Sequence, residues 1–196
     1  MGHGLTGVPD VVHSDSVLLN VEPSAPGTSA PGALPRGRQA AALGVFLAVS
    51  FVVSFVGSLP IRANAAGWYA TALTAPWTPP ALVFSSAWLL LYACMAVAAW
   101  LVWRQRLLPR RPAFLAYGGL LLLNLAWPLM FFGMYPMMGV SALWLALVLI
   151  AAHAALAAAT VFRFGPICTA AGLLMLPYLS WLVFSASLNL YAALNN

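Results

Sequence analysis

Residues 138–162 read MGVSALWLALVLIAAHAALAAATVF, and this stretch decides the fold class because it holds no Asp, Glu, Lys or Arg. A helix rises about 1.5 Å per residue, so about 20 residues cross the ~30 Å hydrocarbon core of a bilayer. A strand of a membrane barrel would alternate apolar and polar side chains, whereas this run is continuously apolar. The stretch therefore predicts a transmembrane helix.

The composition of the whole chain also indicates a membrane protein. The 196 residues are 63% hydrophobic and 6% charged, whereas a soluble domain carries about 25% charged residues. The 3 acidic residues all lie within the first 22 positions, and from residue 40 onward every fixed charge is an arginine. Charges this sparse suit a bilayer and not a water-exposed surface. Composition therefore excludes a soluble globular protein.

Four further apolar runs predict an all-α integral membrane protein with a bundle of five transmembrane helices. The five expected helices cover about residues 40–59, 81–103, 113–132, 138–162 and 167–191. The segment before them is rich in Pro, Gly and Ser and too poor in apolar residues to form a core, so we expect disorder there. The chain is thus divided into a cytoplasmic tail, residues 1–38, and a transmembrane domain, residues 39–196.

The arginines predict the orientation in the membrane. With five spans, seven of the 8 basic residues fall on the side of the amino terminus, and only Arg62 falls on the other side. Cytoplasmic loops carry the excess of Lys and Arg, so we expect the amino terminus in the cytoplasm and the carboxyl terminus outside. The same arginines sit at the ends of apolar runs rather than on a basic helix, which argues against nucleic acid as a partner.

Three unusual residues are expected at one depth in the membrane. Trp88, Asn124 and Trp181 each lie about 10–15 Å below the outer boundary when helix positions are converted to distance. An unpaired amide in hydrocarbon is costly, so Asn124 should face the bundle interior. Trp127 follows Asn124 on one helix face, and Ser185 follows Trp181 on another. The layer predicts either a pocket for a flat, mostly apolar ligand or a core filled by rings, with Asn124 bonded to a neighbouring carbonyl.

A long connection between the first two helices would lie above this layer. Residues 67–80 read GWYATALTAPWTPP, and the prolines in it stiffen the backbone and remove hydrogen-bond donors. Its aromatic side chains make the segment too apolar for an ordinary solvated loop. We therefore predict a lid over the pocket, with a membrane-surface anchor as the alternative.

The membrane part contains a single histidine, His153, and no carboxylate. No metal site is therefore predicted, and acid–base catalysis has little to work with. An ionisable group in mid-helix is a functional candidate, but we favour a neutral histidine bonded inside the bundle or at a dimer contact. On the same helix, alanines at positions 151, 155 and 159 suit close helix packing and a homodimer.

The residues of the layer and of the lid also resemble a known family. Its signatures are matched in order from about residue 40 to the end, with one signature for each expected segment. The matching segments are Gly67-Trp68-Tyr69, Trp77-Thr78-Pro79-Pro80, Trp88 through Tyr92, Asn124-Leu125-Ala126-Trp127, Phe131-Phe132-Gly133, and Pro177-Tyr178 with Trp181, Phe184, Leu188 and Asn189. The chain is therefore similar to the TspO/MBR family of tryptophan-rich sensory proteins and translocator proteins (peripheral benzodiazepine receptors).

The resemblance implies a five-helix bundle, commonly a homodimer, that binds tetrapyrroles such as protoporphyrin IX and haem, with no obligatory cofactor. It thus implies a receptor or transport-type protein with a sensory or regulatory role. By matched position, the loop and the pocket roof would contain Trp68, Tyr69 and Pro79. The residues expected to line the cavity, by matched position or by helix spacing, are Phe84, Trp88, Asn124, Trp127, Trp181 and Ser185.

Other functions stay open on the same residues. Some bacterial members of the family break down protoporphyrin with light and oxygen, and the two tryptophans they need match Trp88 and Trp181. Sterol or lipid binding, or a structural role in the membrane, is a further alternative. The sterol pattern of animal members needs a basic residue after a carboxyl-terminal Tyr, and Tyr191 is followed by none. Sterol is therefore the less favoured ligand.

Overall fold

The computed structural model describes residues 35–105 and 109–196, and within these ranges the chain is helical with no β-strand. In this described part, 5 helices are long and apolar enough to cross a membrane. They are α1 (Arg36–Asn64), α2 (Ala81–Arg104), α3 (Arg111–Gly133), α4 (Val140–Phe164) and α5 (Thr169–Asn195). The predicted all-α bundle of five transmembrane helices is confirmed.

The first helix is longer at both ends than predicted. The apolar run predicts residues 40–59, whereas α1 begins at Arg36 and ends at Asn64. Arg36 and Arg38, which the sequence assigned to the disordered tail, belong to the helix, and the predicted tail before Pro35 lies outside the described residues. An arginine at a helix end reaches headgroups with its long side chain, so a charge does not end the helix. The other helices begin and end within about one turn of the expected bounds.

Contacts between helices establish which helix ends lie together. Trp100, near the end of α2, donates its Nε1–H to the carbonyl of Gln39, near the start of α1, at 2.9 Å. Phe46 of α1 stacks on Phe114, near the start of α3, with ring centroids 6.1 Å apart. The start of α1, the end of α2 and the start of α3 therefore share one end of the bundle.

This end carries most of the described arginines. Pro112, at the start of α3, and Arg163, at the end of α4, line one groove, so the end of α4 lies there as well. We call it the arginine end, and its arginines are Arg36, Arg38, Arg104, Arg110, Arg111 and Arg163. The opposite end holds Arg62 and the α1–α2 loop, and we call it the loop end. That the arginine end faces the cytoplasm stays a prediction.

The last part of α3 is a widened turn that shapes the interior of the bundle. Pro128 lacks an N–H group, and the residues after it, Leu129–Gly133, form a π-helical turn. Consecutive residues of a regular α-helix point about 100° apart. Here Phe131 and Phe132 are each only 5% exposed, with ring centroids 4.8 Å apart. The turn therefore brings a pair of adjacent rings into the core.

Two local features bring the remaining helices into position. α5 is broken at Met175 into Thr169–Leu174 and Leu176–Asn195, just before Pro177, which cannot donate to the preceding turn. α1 approaches α3 closely at Gly57, where a Cβ atom would lie 3.3 Å from the backbone oxygen of Asn124. The lack of a side chain at Gly57 therefore lets α1 pack directly beside Asn124.

Candidate ligand-binding site

A cavity of about 490 Å³ lies inside the bundle toward the loop end. Small-molecule sites usually have volumes of about 300–1,000 Å³. The walls come from all five helices and the α1–α2 loop, with Ile150 and His153 as the contribution of α4. The predicted ligand-binding residues that line it are Tyr69, Pro79, Phe84, Trp88, Asn124, Trp127 and Ser185. Most of the residues that the sequence placed in one pocket therefore do lie around one cavity.

Trp68 is one of two predicted ligand contacts that do not line the cavity. Its ring stacks on Tyr135, with centroids 3.7 Å apart, and its Nε1–H donates to the carbonyl of Phe132 at 3.0 Å. This bond ties the 3-10 turn Trp68–Ala70 to the π-helical turn of α3. Trp68 therefore anchors the roof, while its neighbour Tyr69 faces the cavity.

Trp181 is the other exception, and it packs against the lining instead of belonging to it. Its ring centroid is 5.7 Å from that of Phe84 and 5.2 Å from that of Phe184. Its Nε1–H is buried without a hydrogen-bond partner, as is the hydroxyl of Ser185, one turn further along α5. Each unpaired buried group costs about 1–3 kcal/mol. α5 thus carries two unsatisfied polar groups beside the cavity.

A chain of hydrogen bonds crosses the bundle at the level of Asn124. The Nδ2 of Asn124 donates to the carbonyl of Leu120 at 2.9 Å and to the hydroxyl of Tyr178 at 2.8 Å. The hydroxyl of Tyr178 also shares a hydrogen bond with Nε2 of His153, at 2.6 Å. The interpretation that His153 is bonded inside the bundle is confirmed, and so is the bond of Asn124 to a neighbouring carbonyl.

A second chain of bonds holds the tryptophan one turn along α3. Trp127 donates its Nε1–H to Oδ1 of Asn189 at 3.0 Å, and Nδ2 of Asn189 donates to the carbonyl of Leu143 at 2.9 Å. Asn189 also lines the cavity, and sequence reasoning missed it as a site residue. Tyr178 was missed in the same way, although both residues stand in the matched family signature on α5. Their appearance in that signature was one signal, and for Asn189 an amide inside an expected transmembrane helix was a second.

The roof of the cavity is the α1–α2 loop, which contacts the last part of α5. Trp77 donates its Nε1–H to the hydroxyl of Ser187 at 3.2 Å. Asn196 accepts the N–H of Leu73 at 2.9 Å and donates to the carbonyl of Leu73 at 3.0 Å. Tyr69 belongs to this loop, and burial raises the pKa of its phenol further above neutral pH, which keeps the phenol uncharged. The roof is therefore held in place on two sides and presents a neutral surface.

The lining carries polar side chains but no charged ones. Its polar groups are hydroxyls, amides and one imidazole, and the rest of the surface is aromatic or aliphatic. In the two described ranges, no three His, Cys, Asp or Glu side chains lie close enough together to hold a metal ion. The arrangement suits a flat, mostly apolar ligand with a few hydrogen-bonding groups.

Comparison with known proteins points to the same region of the chain. The sequence model of the TspO/MBR family matches residues 45–194. The translocator protein of Homo sapiens is 35% identical over 153 residues, which cover 76% of this chain and 85% of that protein. The translocator protein of Ovis aries is 35% identical over 138 residues, 69% of this chain and 78% of its own. The tryptophan-rich protein TspO of Chlorobaculum tepidum is 30% identical over 161 residues, 78% of this chain and 94% of its own.

Proposed function

Because this integral, multi-pass membrane protein belongs to the TspO/MBR family, we propose that it binds a tetrapyrrole, such as protoporphyrin IX or haem, under the α1–α2 loop. It would act as a receptor or transport-type protein, with a sensory or regulatory role that depends on occupancy. The observation that carries the proposal is a cavity of about 490 Å³ with aromatic walls and no charged side chain. A tetrapyrrole macrocycle is flat and largely apolar, so it can pack against such rings.

Aromatic rings on two helices would contact the macrocycle. On α2, the ring centroid of Trp88 lies 6.3 Å from Phe84 and 6.2 Å from Tyr178, both edge-on. On α3, Trp127 stacks on Phe131 at 5.3 Å. These rings support one another, so their faces are held in position before a ligand arrives. Rigid aromatic walls lower the entropic cost of binding.

Asn124 offers the polar group that would orient the ligand. Both of its N–H groups are used, by the carbonyl of Leu120 and by Tyr178, which leaves Oδ1 as an acceptor for a pyrrole N–H. No cation in the lining could pair with the propionates of a tetrapyrrole. Those groups would therefore stay at the cavity mouth, where water or headgroups can solvate them.

The same hydrogen bonds bear on the choice between haem and metal-free porphyrin. The imidazole of His153 is one side chain that could ligate an iron atom, and its Nε2 is already bonded to Tyr178 at 2.6 Å. Ligation through Nε2 would break that bond and leave two buried groups unpaired. We therefore propose that the macrocycle, rather than the metal, provides most of the affinity.

Titration of the purified protein with protoporphyrin IX tests the proposed function. Wild type should show saturable quenching of tryptophan fluorescence, and Trp88→Phe should weaken binding about three- to tenfold because an indole face is lost. Trp144→Phe is the matched control, since Trp144 is 43% exposed on α4 and does not line the cavity. Each change removes one fluorophore, so dissociation constants are compared rather than amplitudes. Unsaturable quenching, or the same loss in both variants, would contradict the proposal.

Breakdown of porphyrin by light and oxygen would place Trp88 and Trp181 against the macrocycle. Trp88 lines the cavity and Trp181 does not, so the geometry favours binding over this reaction. Sterol stays the less favoured ligand.

We further propose a homodimer that associates through α4, where Ala151 and Ala155 are exposed and allow a close approach of helices.

A further inference from the structure

A second concave site, separate from the cavity, lies between α3 and α4 at the arginine end. It is a groove of about 310 Å³ lined by Pro112, Leu115, Ala116, Leu156 and Arg163, and none of these residues lines the cavity. We propose that this groove binds one acidic phospholipid, with the phosphate at Arg163 and an acyl chain along the apolar wall. The inference concerns a different surface from the tetrapyrrole site and does not depend on that function.

The charge at the groove has no carboxylate to balance it in the described chain. Residues 35–105 and 109–196 contain no Asp or Glu. Arg163 is exposed, and one N–H of its guanidinium donates to the carbonyl of Ala159 at 3.3 Å. The guanidinium keeps further N–H donors that can face a phosphate. Arg111 adjoins the groove at Pro112 and adds positive charge, and basic pockets of this kind between helices attract anionic headgroups.

The remainder of the groove suits an acyl chain. Leu115 is 68% exposed, and Leu156 forms the facing wall. Leu156 and Arg163 are about two turns apart on α4, which is about 10 Å. The groove closes beyond Leu156, where α3 and α4 come into contact. A Cβ atom built at Gly119 of α3 would lie only 2.8 Å from Cδ2 of Leu156. A headgroup at Arg163 would therefore place the first part of an acyl chain along these leucines.

A second copy of the chain is the other occupant to consider. In a two-fold contact the same patch faces itself, so Arg163 of one copy would approach Arg163 of the other. No carboxylate among the described residues would neutralise that repulsion, whereas a phosphate would. Ala151 and Ala155 lie about a third of a turn around α4 from the groove residues. A dimer through the alanine face therefore leaves the groove open to lipid.

Native mass spectrometry of the full chain tests the inference, with phosphatidylglycerol or phosphatidylcholine added to the detergent. One phosphatidylglycerol should bind more tightly than phosphatidylcholine, and Arg163→Gln should weaken its binding about fivefold. Arg36→Gln is the matched control, since it removes the same charge at the same end but away from the groove. Leu115→Ala should also weaken binding, by about two- to fivefold, because acyl contacts are lost. Circular dichroism checks that each variant keeps its helices.

Several results would overturn the inference. Equal losses in Arg163→Gln and Arg36→Gln would mean a diffuse attraction to the arginine end instead of a site. Displacement of the lipid by millimolar inorganic phosphate, or no effect of Leu115→Ala, would mean an anion contact without an acyl subsite. A change of oligomeric state in Arg163→Gln would assign the groove to a second copy. Protoporphyrin binding is measured in a separate experiment. If the protein does not bind protoporphyrin, the lipid-binding results can still be interpreted.

Discussion

A single hydroxyl group, that of Tyr178, joins three helices. Tyr178 lies on α5 and is fully buried, and its hydroxyl bonds to Asn124 of α3 and His153 of α4. An inward-facing Asn124 could be predicted, because an unpaired amide in hydrocarbon is costly. Its partner Tyr178 could not, since spacing along one helix says nothing about which residue of another helix reaches it.

Removal of that hydroxyl should destabilise the protein more than loss of one hydrogen bond usually does. Tyr178→Phe leaves an amide N–H and an imidazole nitrogen unpaired in the core, so we expect a loss of about 2 kcal/mol in the free energy of unfolding. For a chain of this length that corresponds to a fall in Tm of about 4–8 °C. Thermal unfolding in detergent, followed by tryptophan fluorescence, measures it.

Tyr191→Phe is the matched control for this change. The ring of Tyr191 contacts Trp77 with centroids 5.6 Å apart, and phenylalanine keeps that contact. We therefore expect little change in Tm. Similar small shifts in both variants would show that the Tyr178 hydroxyl does not hold α3 and α4 to α5.

Among the elements, the α1–α2 loop shows best what a sequence can and cannot reveal. Its prolines and aromatic residues predict a rigid segment above the aromatic layer, and the structure places the loop over the cavity. The anchors, however, join residues far apart in the chain: Trp77 to Ser187 at 3.2 Å and Leu73 to Asn196 at 2.9 and 3.0 Å. No local pattern encodes such pairs. The apolar runs, by contrast, are local, which is why all five helices were predictable.

Loss of the Asn196 side chain should loosen this loop without unfolding the bundle. Asn196→Ala removes two hydrogen bonds to Leu73, so amide hydrogen exchange in the loop should accelerate about five- to thirtyfold. Asn195→Ala is the control, because Asn195 bonds only within α5, to the carbonyl of Tyr191. Hydrogen-exchange mass spectrometry of loop peptides measures both. Unchanged exchange in Asn196→Ala would mean that Trp68 and Trp77 hold the loop alone.

At the scale of the whole molecule, the two ends of the bundle are chemically different. The loop end holds an uncharged cavity, and the arginine end holds positive charge without carboxylates in the described chain. Charge counting predicts the orientation from the sequence alone. The shape of the cavity could not be predicted, because it depends on the π-helical turn of α3 and on the close approach at Gly57.

The orientation itself can be tested with reporters. A reporter that is active only in the cytoplasm should be active when fused before Met1 and inactive when fused after Asn196, because cytoplasmic segments carry the excess of arginine. A reporter that is active only outside the cytoplasm serves as the control and should give the reverse pattern. Cytoplasmic activity of the carboxyl-terminal fusion would mean that the arginine end faces outward.

The π-helical turn at Leu129–Gly133 also restricts how this chain can change in length. A π-helical turn holds one residue more than an α-helical turn, so loss of one residue there would give a regular helix without rotating the segment beyond it. The ring of Tyr135 would keep its place against Trp68, 3.7 Å away, but the core would lose one ring of the phenylalanine pair. A deletion in the regular part of α3 would instead rotate everything beyond it by about 100°. Loss of one residue from α3 should therefore be tolerated better within these five positions than elsewhere in the helix.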